Sequence, residues 1–128
     1  MEYTKLGNSD LTVSRICMGC MGFGDASNGQ HSWTLDEQYL GRALRDFASR
    51  DKVAVATKFL PRTNQEIEDG ISGQQHIEQM LDQSLKNLGM DYVDLYIYHM
   101  WDHRTPIYDI LDGLNRMVQA GKVRYIGI

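Results

Sequence analysis

The sequence predicts an α/β fold with parallel strands, part of a (β/α)8 TIM-type barrel, preceded by an N-terminal β-hairpin. Three observations lead there. Helix-like and strand-like segments alternate from about residue 34 to the end of the chain, which implies parallel strands joined by crossovers. The strand-like runs are short, apolar and rich in β-branched residues, as strands buried on both faces are. The glycines after the first expected strand, Gly19-x-x-Gly22-x-Gly24, reverse the G-x-G-x-x-G order of an open dinucleotide-binding sheet. A closed barrel is what remains. A whole barrel needs about 250 residues, whereas these 128 supply four expected strands and stop inside the fourth. The chain is read as a single partial barrel domain over residues 1–128.

Each element has its own signal. Residues 3–16 alternate loosely around the turn Gly7-Asn8-Ser9-Asp10, whose side chains bond their own backbone, so residues 1–16 should form a hairpin and the start of the first strand. Arg15-Ile16-Cys17-Met18-Gly19 reads as that first buried strand. Thr34 and Glu37 stand in capping-box spacing. Tyr39, Leu40, Ala43, Leu44 and Phe47 then mark one helix face to about Ala48. A second strand is expected at residues 53–59. Ser72 and Gln75 form another capping box, followed by Ile77, Met80, Leu81, Leu85 and Leu88, with Gly89 as the stop. Residues 92–99 form the next strand. Thr105 and Pro106 read as cap and first residue of a helix that buries Ile107, Ile110, Leu111, Leu114 and Val118 and ends at Gly121. Residues 123–128 open the last strand.

Composition narrows the class. The chain is 42% hydrophobic and 23% charged with a net charge of −4, ordinary for a globular protein. Its lysines and arginines are scattered, which argues against nucleic-acid or anionic-membrane partners. No apolar run nears the ~20 residues of a membrane span, and the opening residues lack a signal peptide's apolar core. A cytoplasmic location is expected.

Two polar residues stand out by position. Lys58 lies near the C-terminal end of its strand and His99 closes the next one. In a parallel barrel those strand ends form the active-site face. Either residue alone reads more simply as a solvated or hydrogen-bonded strand end; as a pair at equivalent positions they point to chemistry.

These residues sit in a series of motifs: Tyr3-Thr4-Lys5-Leu6-Gly7 with Leu11-Thr12-Val13-Ser14, Met18-Gly19-Cys20-Met21-Gly22-Phe23-Gly24, Tyr39-Leu40-Gly41-Arg42-Ala43-Leu44, and Val55-Ala56-Thr57-Lys58. Ser84-Leu85-Lys86-Asn87-Leu88-Gly89, Asp91-Tyr92-Val93-Asp94-Leu95-Tyr96 and Gly121-Lys122-Val123-Arg124-Tyr125-Ile126-Gly127-Ile128 follow in order. In that combination the chain resembles the aldo-keto reductases, specifically the N-terminal half of their barrel. The resemblance implies hydride transfer from NADPH to an aldehyde or ketone. The family's tetrad is Asp, Tyr, Lys and His; Lys58 matches the lysine and His99 the histidine. A lysine beside the tyrosine favours phenolate and eases proton donation, and a donor aimed at the developing alkoxide stabilises it. By the same resemblance Gly19, Cys20 and Met21 lie where the first loop approaches the nicotinamide cofactor, though a plain strand-to-loop turn explains them equally well. Trp101 lies in a loop that contributes to the substrate pocket.

The sequence also departs from the family. Its aspartate and tyrosine belong to the second strand and the loop after it, ahead of the Tyr39-Leu40-Gly41 motif, yet here Gln38 runs straight into Tyr39. About one βα unit, ~30 to 40 residues, is missing between 38 and 39, and the chain is read as truncated after 128. Tyr39 belongs to the helix motif and is no substitute acid. Tyr98 should point to the opposite strand face from His99. Two origins compete: a longer protein whose remaining residues are not in this chain, which the intact motif set favours, or a deletion product, which the passable helix across the join favours. As written, the chain is expected to be inactive.

The remaining signals are weaker. Cys17-x-x-Cys20 and His99-x-x-x-His103 have metal- or redox-pair spacings but lie on remote segments, so no metal is expected, and Trp33 reads as a helix-start staple. The expected partner is a small carbonyl substrate. The alternative function is a non-catalytic barrel fragment that self-associates through exposed strand edges.

Overall fold

The computed structural model describes residues 1–22 and 32–128. They fall into two compact units, Met1–Ala54 and Val55–Ile128.

In Met1–Ala54 the expected hairpin is present. Strands β1 (Tyr3–Lys5) and β2 (Thr12–Ser14) pair antiparallel with Tyr3 opposite Ser14 and Lys5 opposite Thr12. Gly7 takes a left-handed φ of 57° in the turn, a conformation that costs glycine little. The Ser9 hydroxyl donates to the Leu6 carbonyl at 2.6 Å.

The strand expected at residues 15–19 is not formed. Those residues make no ladder, and Ile16 and Met18 are exposed. A strand needs a partner for its amides and carbonyls, and the hairpin ends at Ser14. Phe23 and Gly24 lie outside the described residues, as does the side chain of Trp33. Helix α1 (Ser32–Phe47) begins two residues before the expected Thr34 and passes unbroken through Gln38 and Tyr39. Along its apolar stripe Tyr39 and Phe47 are exposed. A three-residue hairpin and one helix are too few layers to cover such a stripe. Asp36 is buried on this helix and accepts from the Gly22 amide at 3.0 Å. A single 3-10 turn, Arg50–Lys52, follows.

Val55–Ile128 holds the parallel core. Strands β3 (Ala56–Phe59), β4 (Val93–Tyr98) and β5 (Val123–Gly127) form one sheet in the order β3-β4-β5, parallel throughout. The parallel strands among the described residues thus number three rather than four. Between β3 and β4 lie α2 (Asn64–Glu68) and α3 (Gly73–Leu88); α4 (Ile107–Gln119) links β4 to β5. The Ser72–Gln75 capping box opens α3 as its spacing predicts, and Gly89 closes it with a left-handed φ of 65°. A second capping box, Thr63 with Glu66, opens α2, a helix the sequence reading did not foresee.

The core is a layer of apolar side chains between the sheet and α3 and α4. Ile77, Leu81 and Leu88 from α3, Leu114 from α4, and Val93, Tyr96 and Val123 from the sheet are all nearly inaccessible. The Phe59 ring stacks on Tyr96 at 4.6 Å and tilts against Tyr98 at 5.0 Å. Each large apolar side chain buried this way contributes about 1.5–3 kcal/mol. Asp94 is buried at the start of β4, where it accepts from the Val55 amide at 2.9 Å and from Arg124 at 3.1 Å. It ties all three strands together at the end opposite the candidate site.

Candidate active site

Strand alternation decides which side chains can share a site. Phe59, Tyr96 and Tyr98 face the helices. By the two-residue period, Lys58, Leu95, Ile97 and His99 face the other side of the sheet. In the ladder Lys58 stands opposite Ile97, two residues before His99. The His99 amide donates to the Phe59 carbonyl at 3.0 Å. That bond extends the pairing one residue past β4 and seats the imidazole at the C-terminal end of the sheet. Lys58 is half-buried and His99 exposed. The two residues predicted as a pair are therefore brought to one face at the ends of adjacent strands.

Tyr98 is on the helix side, buried against Phe59, as alternation requires. Burial pushes its hydroxyl pKa up and the nearby Asp102 carboxylate pushes it further; the Asp102 amide and Arg62 only partly oppose this. It is a poor proton donor to anything on the His99 face.

Trp101 lies in the loop after β4. Its indole N–H donates to the Thr105 carbonyl at 2.8 Å, and its ring leans on His103 at 4.4 Å. With 41% of its surface exposed, one ring face remains available. Thr105 does not cap α4: Pro106 occupies the cap and no side chain bonds there. The Thr105 hydroxyl is directed into its own loop, donating to Asp102 at 2.6 Å and accepting from Arg62 at 2.9 Å. Burial alone would raise the Asp102 carboxyl, but hydrogen bonds from the Thr105 hydroxyl and the Thr105 and Arg104 amides outweigh it and hold its pKa low.

Behind Lys58, the His76 ring is buried between Glu66 Oε1 at 2.9 Å and the Leu60 carbonyl at 2.8 Å. Arg62, His76 and Asp102 carry no sequence signal of their own, and Thr105 carries one only as an expected helix cap. Otherwise only the Thr63-x-x-Glu66 spacing offered a local signal; bonds such as Arg62 to Thr105 link residues 43 apart.

Gly19, Cys20 and Met21 belong to the other unit, in a stretch without regular structure. Both cysteines are free, and burial, then Cys17 and Asp36, raise the Cys20 pKa, which opposes thiolate formation. Among the described residues no group of three His, Cys, Asp or Glu side chains could hold a metal ion. No described helix is long and apolar enough to cross a membrane.

Residues 32–128 match the model of the aldo/keto reductase family. The chain belongs to that family. An NADP(+) aldo-keto reductase of Schizosaccharomyces pombe is 38% identical over 94% of this chain and 36% of its own length. The versiconal hemiacetal acetate reductase of Aspergillus parasiticus is 28% identical over 99% of this chain and 50% of its own. The holo form of an aldo-keto reductase from Bacillus halodurans superposes with a TM-score of 0.79 and 29% identity, covering all of this chain and 50% of that one. A thermostable aldo-keto reductase solved with the inhibitor epalrestat gives a TM-score of 0.82 at 23% identity, a likeness of fold. This aldo-keto reductase chain thus spans between about a third and a half of the curated relatives it matches, and its fold is part of a barrel, with no closed sheet among the described residues.

The residues described do not fit a whole dinucleotide. In Val55–Ile128 a cavity of about 10 Å³ lies on the helix side of the sheet, lined by Phe59, Arg62, His76, Tyr98 and Thr105 among others. It has room for about one water and is on the face away from His99.

Proposed function

We propose that this chain is the N-terminal barrel portion of an NADP-dependent carbonyl reductase, in which Lys58 and His99 serve the carbonyl end of the site. The observation that carries the reading is their placement at the C-terminal ends of adjacent parallel strands, on the face turned away from α3 and α4. There the His99 imidazole can donate a hydrogen bond to a carbonyl oxygen and hold it in one orientation. The Lys58 ammonium can favour the ionised form of a neighbouring phenol and so ready it to give up its proton. Trp101 offers an apolar ring for the substrate's own side chain. Gly19, Cys20 and Met21 are assigned to the cofactor side by resemblance. A small aldehyde or ketone is the substrate class, and a cytoplasmic location goes with it.

The aspartate and tyrosine of the tetrad, and most of the cofactor site, belong to residues this chain does not contain. A missing βα unit between Gln38 and Tyr39, about 30 to 40 residues, is this reading's account of the break in the motif order.

The test begins with the intact mass of the protein in its source cells. A mass near twice that of these 128 residues, with NADPH-dependent reduction of an aromatic aldehyde that Lys58→Met and His99→Ala each lower at least a hundredfold, is the expected result. Full turnover by the Lys58→Met protein would overturn the assignment. A native mass equal to 128 residues favours the second reading, a non-catalytic fragment that self-associates. Its supporting observation is that β3 and β5 are the margins of the three-stranded sheet, and open margins recruit further strands.

A further inference from the structure

The loops that follow β3 and β4 are joined by one continuous chain of hydrogen bonds. Arg62, three residues after β3, donates from Nη1 to the Ile71 carbonyl at 2.6 Å and from Nη2 and Nε to the Thr105 hydroxyl at 2.9 and 3.3 Å. That hydroxyl donates to Asp102 Oδ2 at 2.6 Å, while Asp102 Oδ1 accepts the amides of Thr105 at 2.7 Å and Arg104 at 2.9 Å. The Asp102 carboxylate thereby closes a turn over His103, whose φ of 56° is unfavourable for a residue with a Cβ. The Thr105 carbonyl, fixed by this turn, receives the Trp101 indole N–H at 2.8 Å. A methyl added at Gly73 would stand 2.7 Å from Thr105 Cγ2, so the N-terminus of α3 braces the same residue from behind. A charged bidentate donor, a carboxylate with three donors and a buried threonine are far more than a surface loop needs to stay folded.

We infer that Arg62, Asp102 and Thr105 are positioning residues: they clamp the loop after β3 to the loop after β4 and fix how Trp101 and His99 stand relative to Lys58. Arg62 and Thr105 line the small cavity on the helix side of the sheet, away from His99. Their effect runs through the Thr105 carbonyl to the indole and through the loop root to His99. The clamp rests on the geometry; its consequence for carbonyl specificity rests on the reductase reading above.

The clamp can be tested on the 128-residue chain by assigned NMR, without turnover. The Trp101 indole N–H is followed by hydrogen exchange, with the Tyr96 amide in the middle of β4 as the reference for global opening. Thr105→Val and Asp102→Ala should each speed indole exchange at least threefold more than they speed exchange at Tyr96. Thr105→Ser, which keeps the hydroxyl, should restore the original rate. Arg62→Lys, a milder change that keeps the charge but loses the fork, should fall between. Equal acceleration at Trp101 and Tyr96 would mean that these residues only hold the fold together and would overturn the inference. So would unchanged indole exchange in Thr105→Val and Asp102→Ala. Because no activity is measured, the clamp can fail while the reductase reading stands, and the reverse holds for the Lys58→Met assay.

Discussion

At the scale of single residues, the polar groups buried near the strand ends have the sharpest consequences. His76 has an acceptor at each ring nitrogen, Glu66 on one side and the Leu60 carbonyl on the other. Which ring nitrogen donates depends on the tautomer. His76→Leu removes the buried ring's hydrogen bonds to Glu66 and the Leu60 carbonyl, and urea unfolding should show a loss of about 1–3 kcal/mol. Asp102 and Glu66 set the acid limit. For Glu66, burial works to raise the pKa, but bonds from the Thr63 amide and hydroxyl and from His76 outweigh it and leave it lowered; Asp102 is lowered likewise. A carboxyl with a lowered folded-state pKa gives stability that is present above its ordinary value and lost as pH falls through the folded one. The ordinary values are 4.5 and 3.8. The unfolding midpoint should therefore hold steady above about pH 5 and fall progressively below it. In Asp102→Ala the neutral-pH stability drops, but the acid slope becomes shallower. An acid slope identical to that of the parent would show that Asp102 carries no such linkage.

Elements differ in how plainly the sequence announces them. Helix α3 was legible from end to end, because its capping box, its apolar spacing and its terminal glycine agree with one another and with the observed bounds. Strands β3, β4 and β5 were legible too, within a few residues, since a short β-branched run between polar turns has few other uses. What failed were statements that depend on a partner. The Arg15-to-Gly19 run has strand-like residues but no ladder, and the stripe expected to be buried on α4 leaves Ile107 and Leu111 exposed. Periodicity reports which face an element could bury, not whether a second layer is there to bury it. Thr105 failed differently: its hydroxyl found a stronger partner in Asp102 than any amide at the start of α4. Lys58 and His99 were legible as a pair because strand ends are readable, whereas Arg62 and Asp102 act across long sequence separations. The packing of α3 on α4 offers a direct check. A methyl at Gly113 would come within 2.9 Å of Ile77 Cδ1 and 3.3 Å of the Gln74 backbone. Overpacking of this kind costs about 1–3 kcal/mol, more than alanine's better helix propensity returns. Gly113→Ala should lower the thermal midpoint, and an unchanged or raised midpoint would mean the two helices separate easily.

For the whole molecule, the decisive fact is that one central strand has neighbours on both sides and two marginal strands do not. In Val55–Ile128, β4 pairs with β3 and β5 at once, while each of those pairs with β4 only within this sheet. The relatives' barrels extend to about twice this span, so the margins and the Lys58 face are where the rest of such a barrel would bind. The 128-residue chain alone offers the same surfaces, Leu95 and Ile97 half-buried among them, to any strand or apolar layer that fits. Hydrogen exchange at low protein concentration should therefore rank β4 amides as the slowest and those of β3 and β5 as faster. Raising the concentration should slow β3 and β5 selectively and raise the mass seen by light scattering, with β4 hardly changed. A monomer at every concentration, with all three strands equally protected, would mean that the margins are already closed within a single chain and would remove the case for self-association.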